Sequence, residues 1–152
     1  MNRILSLVTL LFLGACAGPP ETLSVKQFLL RDQVRDEGEE PMVRMEKSRR
    51  LHGAISMEQR RQRLGQYYTI HWHDPAGAGQ GPVEVVFEYQ QAATGALIKR
   101  SYQRFGAGTV SGQADFQVTG EDFRKNGRVL AWQVVLRRDG REVASRKSYL
   151  WR

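Results

Sequence analysis

The sequence is poor in the residues that carry covalent and metal chemistry. It has one cysteine and three histidines among 152 residues. A single thiol excludes an intrachain disulfide and a cysteine-ligated metal cluster, so the stability of the folded part must come from packing. The chain also lacks the run of ~20 apolar residues that spans a bilayer as a helix. Its most apolar stretch, residues 4–13, has only about half that length.

Residues 1–16 nevertheless have the layout of an export signal. Arg3 provides a positive start, and residues 4–13 form the short apolar core that is typical of a signal peptide rather than of a lasting membrane helix. The core leads into a motif that resembles the lipobox of bacterial lipoproteins: Leu13-Gly14-Ala15-Cys16.

The lipobox resemblance implies that the chain is cut before Cys16 and that the cysteine thiol carries a diacylglycerol. A thiol suits this reaction because a soft, easily ionised sulfur is the nucleophile. Several acyl chains are needed, since one chain alone holds a protein only weakly on a membrane. Ala17 stands where an inner-membrane signal would place Asp, which favours the outer membrane and a location facing the periplasm. The expected organisation is a signal peptide at residues 1–15 and a lipidated tether at residues 16–23.

The segment after the tether has weaker structural signals. Residues 25–30 are apolar enough for a strand, and residues 41–45 suggest a second one. Ser56 and Gln59 have the spacing of a capping box, which predicts one short basic helix over residues 57–64.

From residue 66 onward, apolar and polar side chains alternate, as in half-buried strands. The alternation recurs about six times, with short turns such as Asp139-Gly140 between the runs. Strands joined by such short turns pair antiparallel, and their apolar face needs a second sheet to cover it. We therefore predict a mainly β protein. Its antiparallel β-sandwich of immunoglobulin-like or fibronectin-III-like style covers residues 66–152, preceded by an N-terminal extension at residues 24–65. A small barrel is the rival fold.

One group of residues carries metal-ligand atoms, namely His71, His73 and Asp74. On a strand the two imidazoles share a face, and with the carboxylate they are able to bind zinc or copper. In the alternative interpretation both histidines lie on the solvated face opposite Trp72, and Asp74 starts the turn before Pro75. No further ligand is spaced to complete a coordination shell, so we expect no metal and no cofactor.

Catalytic motifs are absent from the sequence, which has no Gly-x-Ser-x-Gly elbow. Glu84 and Glu88 share a strand face at a separation of about 13 Å, from the rise per residue of a strand. That separation is wider than the paired carboxylates of glycosidases use. We therefore expect structural roles for both and predict that the protein is not an enzyme.

The formal net charge is +7. Basic side chains concentrate in residues 43–65, where we consider as anion-binding candidates Arg44, Lys47, Arg49, Arg50, Arg60, Arg61 and Arg63. They form either a solvated surface or a contact with lipid headgroups, lipopolysaccharide phosphates or cell-wall carboxylates. Near an anionic surface each basic residue contributes about 1 kcal/mol. The expected compartment makes nucleic acid an unlikely partner.

Large aromatic side chains have two possible roles, an exposed platform for sugars or the core of a sandwich. We expect Tyr68, Trp72 and Trp132 in the core and leave Tyr149 and Trp151 open. The sequence as a whole favours a membrane-anchored, non-catalytic structural or interaction module whose partner is another envelope protein or an anionic envelope polymer.

Overall fold

The computed structural model describes residues 21–32 and 38–152 of the chain. The expected signal peptide and Cys16 lie outside the described residues, as does the tether up to residue 20. Over the described ranges, no helix has both the length and the apolar character needed to cross a bilayer.

Seven strands, three α-helices and one 3₁₀ turn make up these ranges. In chain order they are β1 (Leu23–Leu30), α1 (Pro41–Leu51), α2 (Met57–Gln62), β2 (Gly65–His73), the 3₁₀ turn (Pro75–Gly77), β3 (Val83–Gln91), β4 (Lys99–Phe105), β5 (Ser111–Thr119), α3 (Gly120–Asn126), β6 (Val129–Arg138) and β7 (Arg141–Lys147).

The strands form two antiparallel sheets that pack together, which confirms the predicted mainly β, two-layer antiparallel architecture. One sheet has three strands in the order β1-β2-β5, and the other has four in the order β4-β3-β6-β7. Strand β1 pairs with β2 along its whole length, from Leu23 opposite Trp72 to Leu30 opposite Gly65. Residues 23–30 therefore belong to the same sandwich as the strands that follow.

Aromatic side chains from both sheets meet between the layers. The ring of Tyr68 lies 4.6 Å from that of Phe87 and 6.0 Å from that of Trp132, measured between centroids. Tyr68, Trp72 and Trp132 are 1%, 2% and 7% exposed, so the prediction that they fill the core is confirmed. Because β7 ends at Lys147, the last aromatics do not share a strand face: Trp151 is buried, whereas Tyr149 is 98% exposed.

Residues 41–45 are helical, so the prediction of a strand there was wrong. Pro41 stands at the start of α1, where its missing N–H leaves no helical hydrogen bond unmade. The residues that follow include Met, Arg, Glu and Lys, which are good helix formers. Arg49 and Arg50 in the last turn complement the negative end of the helix dipole.

The prediction of a single short N-terminal helix is also corrected, because the described ranges hold three. Helix α2 is the predicted one, and the reciprocal Ser56–Gln59 capping box is present. Helix α3 lies between β5 and β6. Its acidic residues in the first turn and its basic residues in the last turn suit the dipole, and Gly127 follows with a φ of 77°.

Candidate anion-binding cleft

Helices α1 and α2 lie over the outer face of the three-stranded sheet, where β2 presents Tyr67. Although this side chain points away from the core, it is only 4% exposed. The guanidinium of Arg50 stacks 4.2 Å above the centroid of its ring. The phenol of Tyr67 donates a hydrogen bond to the carbonyl of Arg63, just after α2. One aromatic side chain therefore positions both helical segments. Its burial raises the pKa of Tyr67, so the phenol keeps its proton near neutral pH.

Helix α1 is held on its other side by Lys47. The ammonium of Lys47 lies 2.6 Å from a carboxylate oxygen of Asp32 and 3.2 Å from one of Glu39. Burial disfavours the charge on Lys47, but the hydrogen bonds to the two carboxylates outweigh it and raise the pKa of Lys47. The ion pairs fix the helix to the segment that follows β1, and they turn Lys47 away from the arginines of the cleft.

Three arginines line one pocket of about 380 Å³ between these helices and the sheet. Its lining residues are Arg49, Arg50, Gln62, Arg63, Tyr67, Gln117 and Thr119. Gln117 and Thr119 come from the outer face of β5, which pairs with β2 from Thr119 opposite Gly65. We call this pocket the arginine pocket.

The hydrogen bonds of these arginines leave donors unused. Arg50 donates from Nε to Glu46 over 2.8 Å, and the described residues supply no acceptor to its two terminal nitrogens. Arg63 donates through Nη1 to the carbonyls of Arg50 and His52, and within the described ranges its Nη2 and Nε have no acceptor. Each side chain is thus held through one part of its guanidinium, and both residues line the pocket.

Glu46 is the carboxylate shared by the first two arginines. Arg49 binds it in a bidentate manner, with both nitrogens 2.7 Å from the carboxylate oxygens. The hydrogen bond from Arg49, and then that from Arg50, lower the pKa of Glu46. Asp115 on β5 also contributes a favourable charge to Arg49. Two carboxylates near three guanidiniums leave an excess of positive charge, which favours an anion in the arginine pocket.

The other basic candidates lie elsewhere. Lys47 is paired below α1, and the guanidinium of Arg60 donates to the carbonyl of Ala54 over 3.1 Å. Arg61 is exposed and lies 3.9 Å from Glu58. Arg44 has a buried Nε for which the described residues provide no partner. Of the seven predicted anion-binding residues, the fold therefore brings Arg49, Arg50 and Arg63 together.

Of the metal candidates His71, His73 and Asp74, the last is engaged in an ion pair with Arg138. Asp74 begins the turn before Pro75; one carboxylate oxygen lies 2.6 Å from Nε of Arg138, and the other accepts the N–H of Gly77. His71 and His73 are half-buried on the outer face of β2. In the part of the chain that the structure describes, no three His, Cys, Asp or Glu side chains come close enough to hold a metal.

Glu84 and Glu88 both pair with arginines across strands β3 and β4. Nε of Arg104 donates to Glu84 over 2.8 Å, and Nε of Arg100 donates to Glu88 over 2.7 Å. These ion pairs form a ladder on the outer face of the four-stranded sheet, which agrees with the expected structural role.

Sequence reasoning missed Arg138, whose side chain is 3% exposed. It lies at an inward position of β6, in register with Val83. A signal was present, because Arg138 continues the alternation of inward residues that includes Val134 and Leu136. A charged residue at such a position needs a buried partner.

Comparison with protein family models, with curated proteins and with solved structures gave no match. The class of protein is therefore defined by the structure itself: a two-sheet antiparallel β-sandwich with an arginine-lined cleft between its helices and one outer sheet face.

Proposed function

We propose that this protein is a non-catalytic binding module of the bacterial cell envelope. It is anchored to the outer membrane through lipid on Cys16, faces the periplasm, and binds an anionic partner in the arginine pocket. The observation that carries the proposal is the convergence of Arg49, Arg50 and Arg63 on one pocket, where donors of Arg50 and Arg63 have no acceptor among the described residues. We also propose that the sandwich is immunoglobulin-like or fibronectin-III-like, which its seven described strands in two antiparallel sheets support.

The geometry favours binding over simple solvation of the charges. A guanidinium presents a planar fork of donors that matches carboxylate and phosphate groups, and a charge-assisted hydrogen bond is about twice as strong as a neutral one. Stacking on Tyr67 and the bonds from Arg63 to two carbonyls hold two of these forks in place. An incoming anion therefore meets donors whose conformational entropy is already reduced, which strengthens binding.

The position of the pocket relative to the anchor supports the same proposal. The chain enters β1 at Leu23, which pairs with Trp72 near one end of the sheet. Tyr67 and Thr119 of the pocket lie toward the other end, about 17 Å and 24 Å away by the rise of a strand. A partner held there is separated from the tether, as expected of a module that binds something other than its own bilayer.

Anchoring is tested by labelling cells with radioactive palmitate. The parent chain should carry label and remain in the membrane fraction, whereas Cys16→Ser should lose the label and fail to be processed. An unlabelled parent, or a Cys16→Ser chain that is processed and retained like the parent, would contradict the anchoring.

Anion binding is tested by titrating the full chain with sulfate and comparing Arg50→Gln with Arg61→Gln. Both variants lose one positive charge, but only Arg50 lines the pocket. Arg50→Gln should weaken binding by about tenfold or more, since a hydrogen bond to a charged group contributes about 1.5–3 kcal/mol. Arg61→Gln should stay within about twofold of the parent, because an exposed charge acts only weakly. Equal losses in the two variants would show that general surface charge is responsible.

A further inference from the structure

A second cavity, of about 530 Å³, continues from the arginine pocket. The two share Arg49, Arg50 and Tyr67. Away from these residues the cavity runs between α1 and the outer face of the three-stranded sheet. There it is lined by Lys26, Gln27, Phe28, Met42, Met45, Glu46, Thr69, His71 and Gln113. We call this continuation the methionine groove.

Two methionines give the groove its character. Met42 and Met45 are 66% and 61% exposed, and they stand three residues apart, so they share one side of α1. Phe28 of β1 lines the groove with them. Methionine has a flexible, polarizable side chain that adapts to irregular apolar partners. Exposed apolar side chains that line a cavity mark a site for a ligand more often than isolated ones do.

The floor of the groove argues against an added peptide strand. Thr69 and His71 belong to β2, the central strand of the three-stranded sheet, and β1 and β5 pair with it on either side. Its backbone hydrogen bonds are therefore already made, so a peptide lying on this floor finds no strand to pair with, and only the outer edge of β1 at one side of the groove is open. A plain hydrocarbon chain needs no backbone partner, so it fits this floor better.

We infer that the cleft takes an anionic amphiphile with a single acyl or alkyl chain. The acidic head lies against Arg50 and Arg63, and the chain lies along Met45, Met42 and Phe28. The head position rests on the proposed anion binding, whereas the chain position is a separate claim. Met42 and Arg49 are seven residues apart on one helix, which corresponds to about 10 Å along its axis. The apolar contact thus extends away from the arginines in the direction that a chain would follow.

The test titrates the full chain, held in nanodiscs of neutral phosphatidylcholine, with inorganic phosphate and with butyl, hexyl and octyl phosphate. Empty nanodiscs measure the partition of each compound into lipid, which is subtracted. Affinity should rise by roughly twofold to fourfold for each methylene that the groove covers. Octyl phosphate should therefore bind at least about tenfold more tightly than butyl phosphate.

Matched variants separate the two parts of the site. Met45→Ser should reduce the gain with chain length, whereas Met57→Ser, at a methionine of similar exposure on α2 that does not line the groove, should leave it unchanged. Arg50→Gln should weaken every alkyl phosphate by a similar factor.

Four outcomes would overturn the inference. If phosphate and octyl phosphate bind with equal affinity, the groove takes no chain, although the anion site stands. If neither compound nor sulfate binds, the proposed function fails as well. If Met45→Ser and Met57→Ser lose the same amount, or an acidic peptide binds more tightly than octyl phosphate, the occupant is not an alkyl chain.

Discussion

Arginines lie at both ends of this sandwich, but their donors are used differently. Arg138 is almost fully buried, and every nitrogen of its guanidinium donates within the protein. Nε binds Asp74, while the terminal nitrogens reach loop carbonyls that include those of Gly81 and Thr109. At the other end, Arg50 and Arg63 line a cavity and are each held through part of the guanidinium, and their remaining donors have no acceptor among the described residues.

The difference indicates separate roles for the same residue type. A buried charge is tolerated only when it is paired and fully hydrogen-bonded, as Arg138 is, and such a group stabilises a local arrangement of loops. A fixed but incompletely bonded guanidinium contributes less to the fold and is available to a ligand.

The largest expected effect is that of Asp74→Ala. Removing one partner of a buried pair leaves an uncompensated charge, here on Arg138, and should lower the free energy of unfolding by about 3–5 kcal/mol. Urea denaturation of parent and variant measures the loss, and the sulfate affinity should stay unchanged in the folded variant. A loss under about 1 kcal/mol would mean that the pair is not essential to the fold.

Gly77→Ala should disturb the same Asp74–Arg138 ion pair by steric overlap, without removing either charge. A β-carbon at this position would lie 2.1 Å from Nε of Arg138 and 2.2 Å from a carboxylate oxygen of Asp74. The overlap should reduce stability by about 1–3 kcal/mol. Gly108→Ala is the matched control, because a β-carbon there meets nothing within 4 Å. Equal thermal midpoints for the two variants would contradict the close packing around the ion pair.

Glu46→Gln should change binding in the opposite direction to Arg50→Gln. Because Glu46 competes with a ligand for Arg49 and Arg50, its neutralisation should raise the affinity for sulfate several-fold. Calorimetric titration of the two chains at neutral pH measures the change. An unchanged or weaker affinity would show that the carboxylate organises the arginines more than it competes for them.

Acid should reproduce this effect in the parent chain. The pKa of Glu46 is below its ordinary value of 4.5, so the carboxylate becomes neutral only as the pH falls beneath that value. Sulfate affinity of the parent should therefore approach that of Glu46→Gln as the pH is lowered through this pKa. The contribution of Glu46 to the free energy of unfolding is present above pH 4.5, and it is lost as the pH falls through the lowered pKa. The part of the pH dependence that disappears in Glu46→Gln measures this contribution.

The smallest effect is expected on the exposed ladder of the four-stranded sheet. Glu88→Gln breaks the pair with Arg100, whose side chain is 62% exposed. Exposed ion pairs contribute about 0–1 kcal/mol, so urea denaturation should show a loss in that range. A loss comparable to that of Asp74→Ala would contradict the view that burial, rather than pairing, decides which arginines stabilise the fold.

The sandwich could be predicted from sequence because its strands obey a simple period. Tyr68 and Trp72 alternate with polar residues, and the turn at Asp139-Gly140 joins β6 to β7 as expected. Helix α1 could not be predicted in this way, because its apolar residues are largely exposed and give no helical stripe. Its helical propensity and Pro41 were the available signals, and the interpretation of residues 41–45 as a second apolar strand overrode them.

The candidate cleft was predictable only in part. The concentration of basic residues in 43–65 was visible, but their division depends on tertiary contacts. Lys47 turns toward Asp32 and Glu39, whereas Arg63 turns toward the loop after α1. Tyr67 and Gln117, which come from distant parts of the chain, complete the arginine pocket. No local pattern relates them, since only the pairing of β2 with β5 brings them together.

The comparison between the two sets of arginines is tested most directly by nuclear magnetic resonance of their side chains. The Nε–Hε resonances of arginine are followed in the full chain while sulfate is added. The resonances of Arg50 and Arg63 should shift in a saturable manner, and that of Arg138 should stay in place. A shift of Arg138 equal to theirs, or no shift of Arg50 and Arg63 at saturating sulfate, would contradict the assignment of the cleft as an anion-binding site.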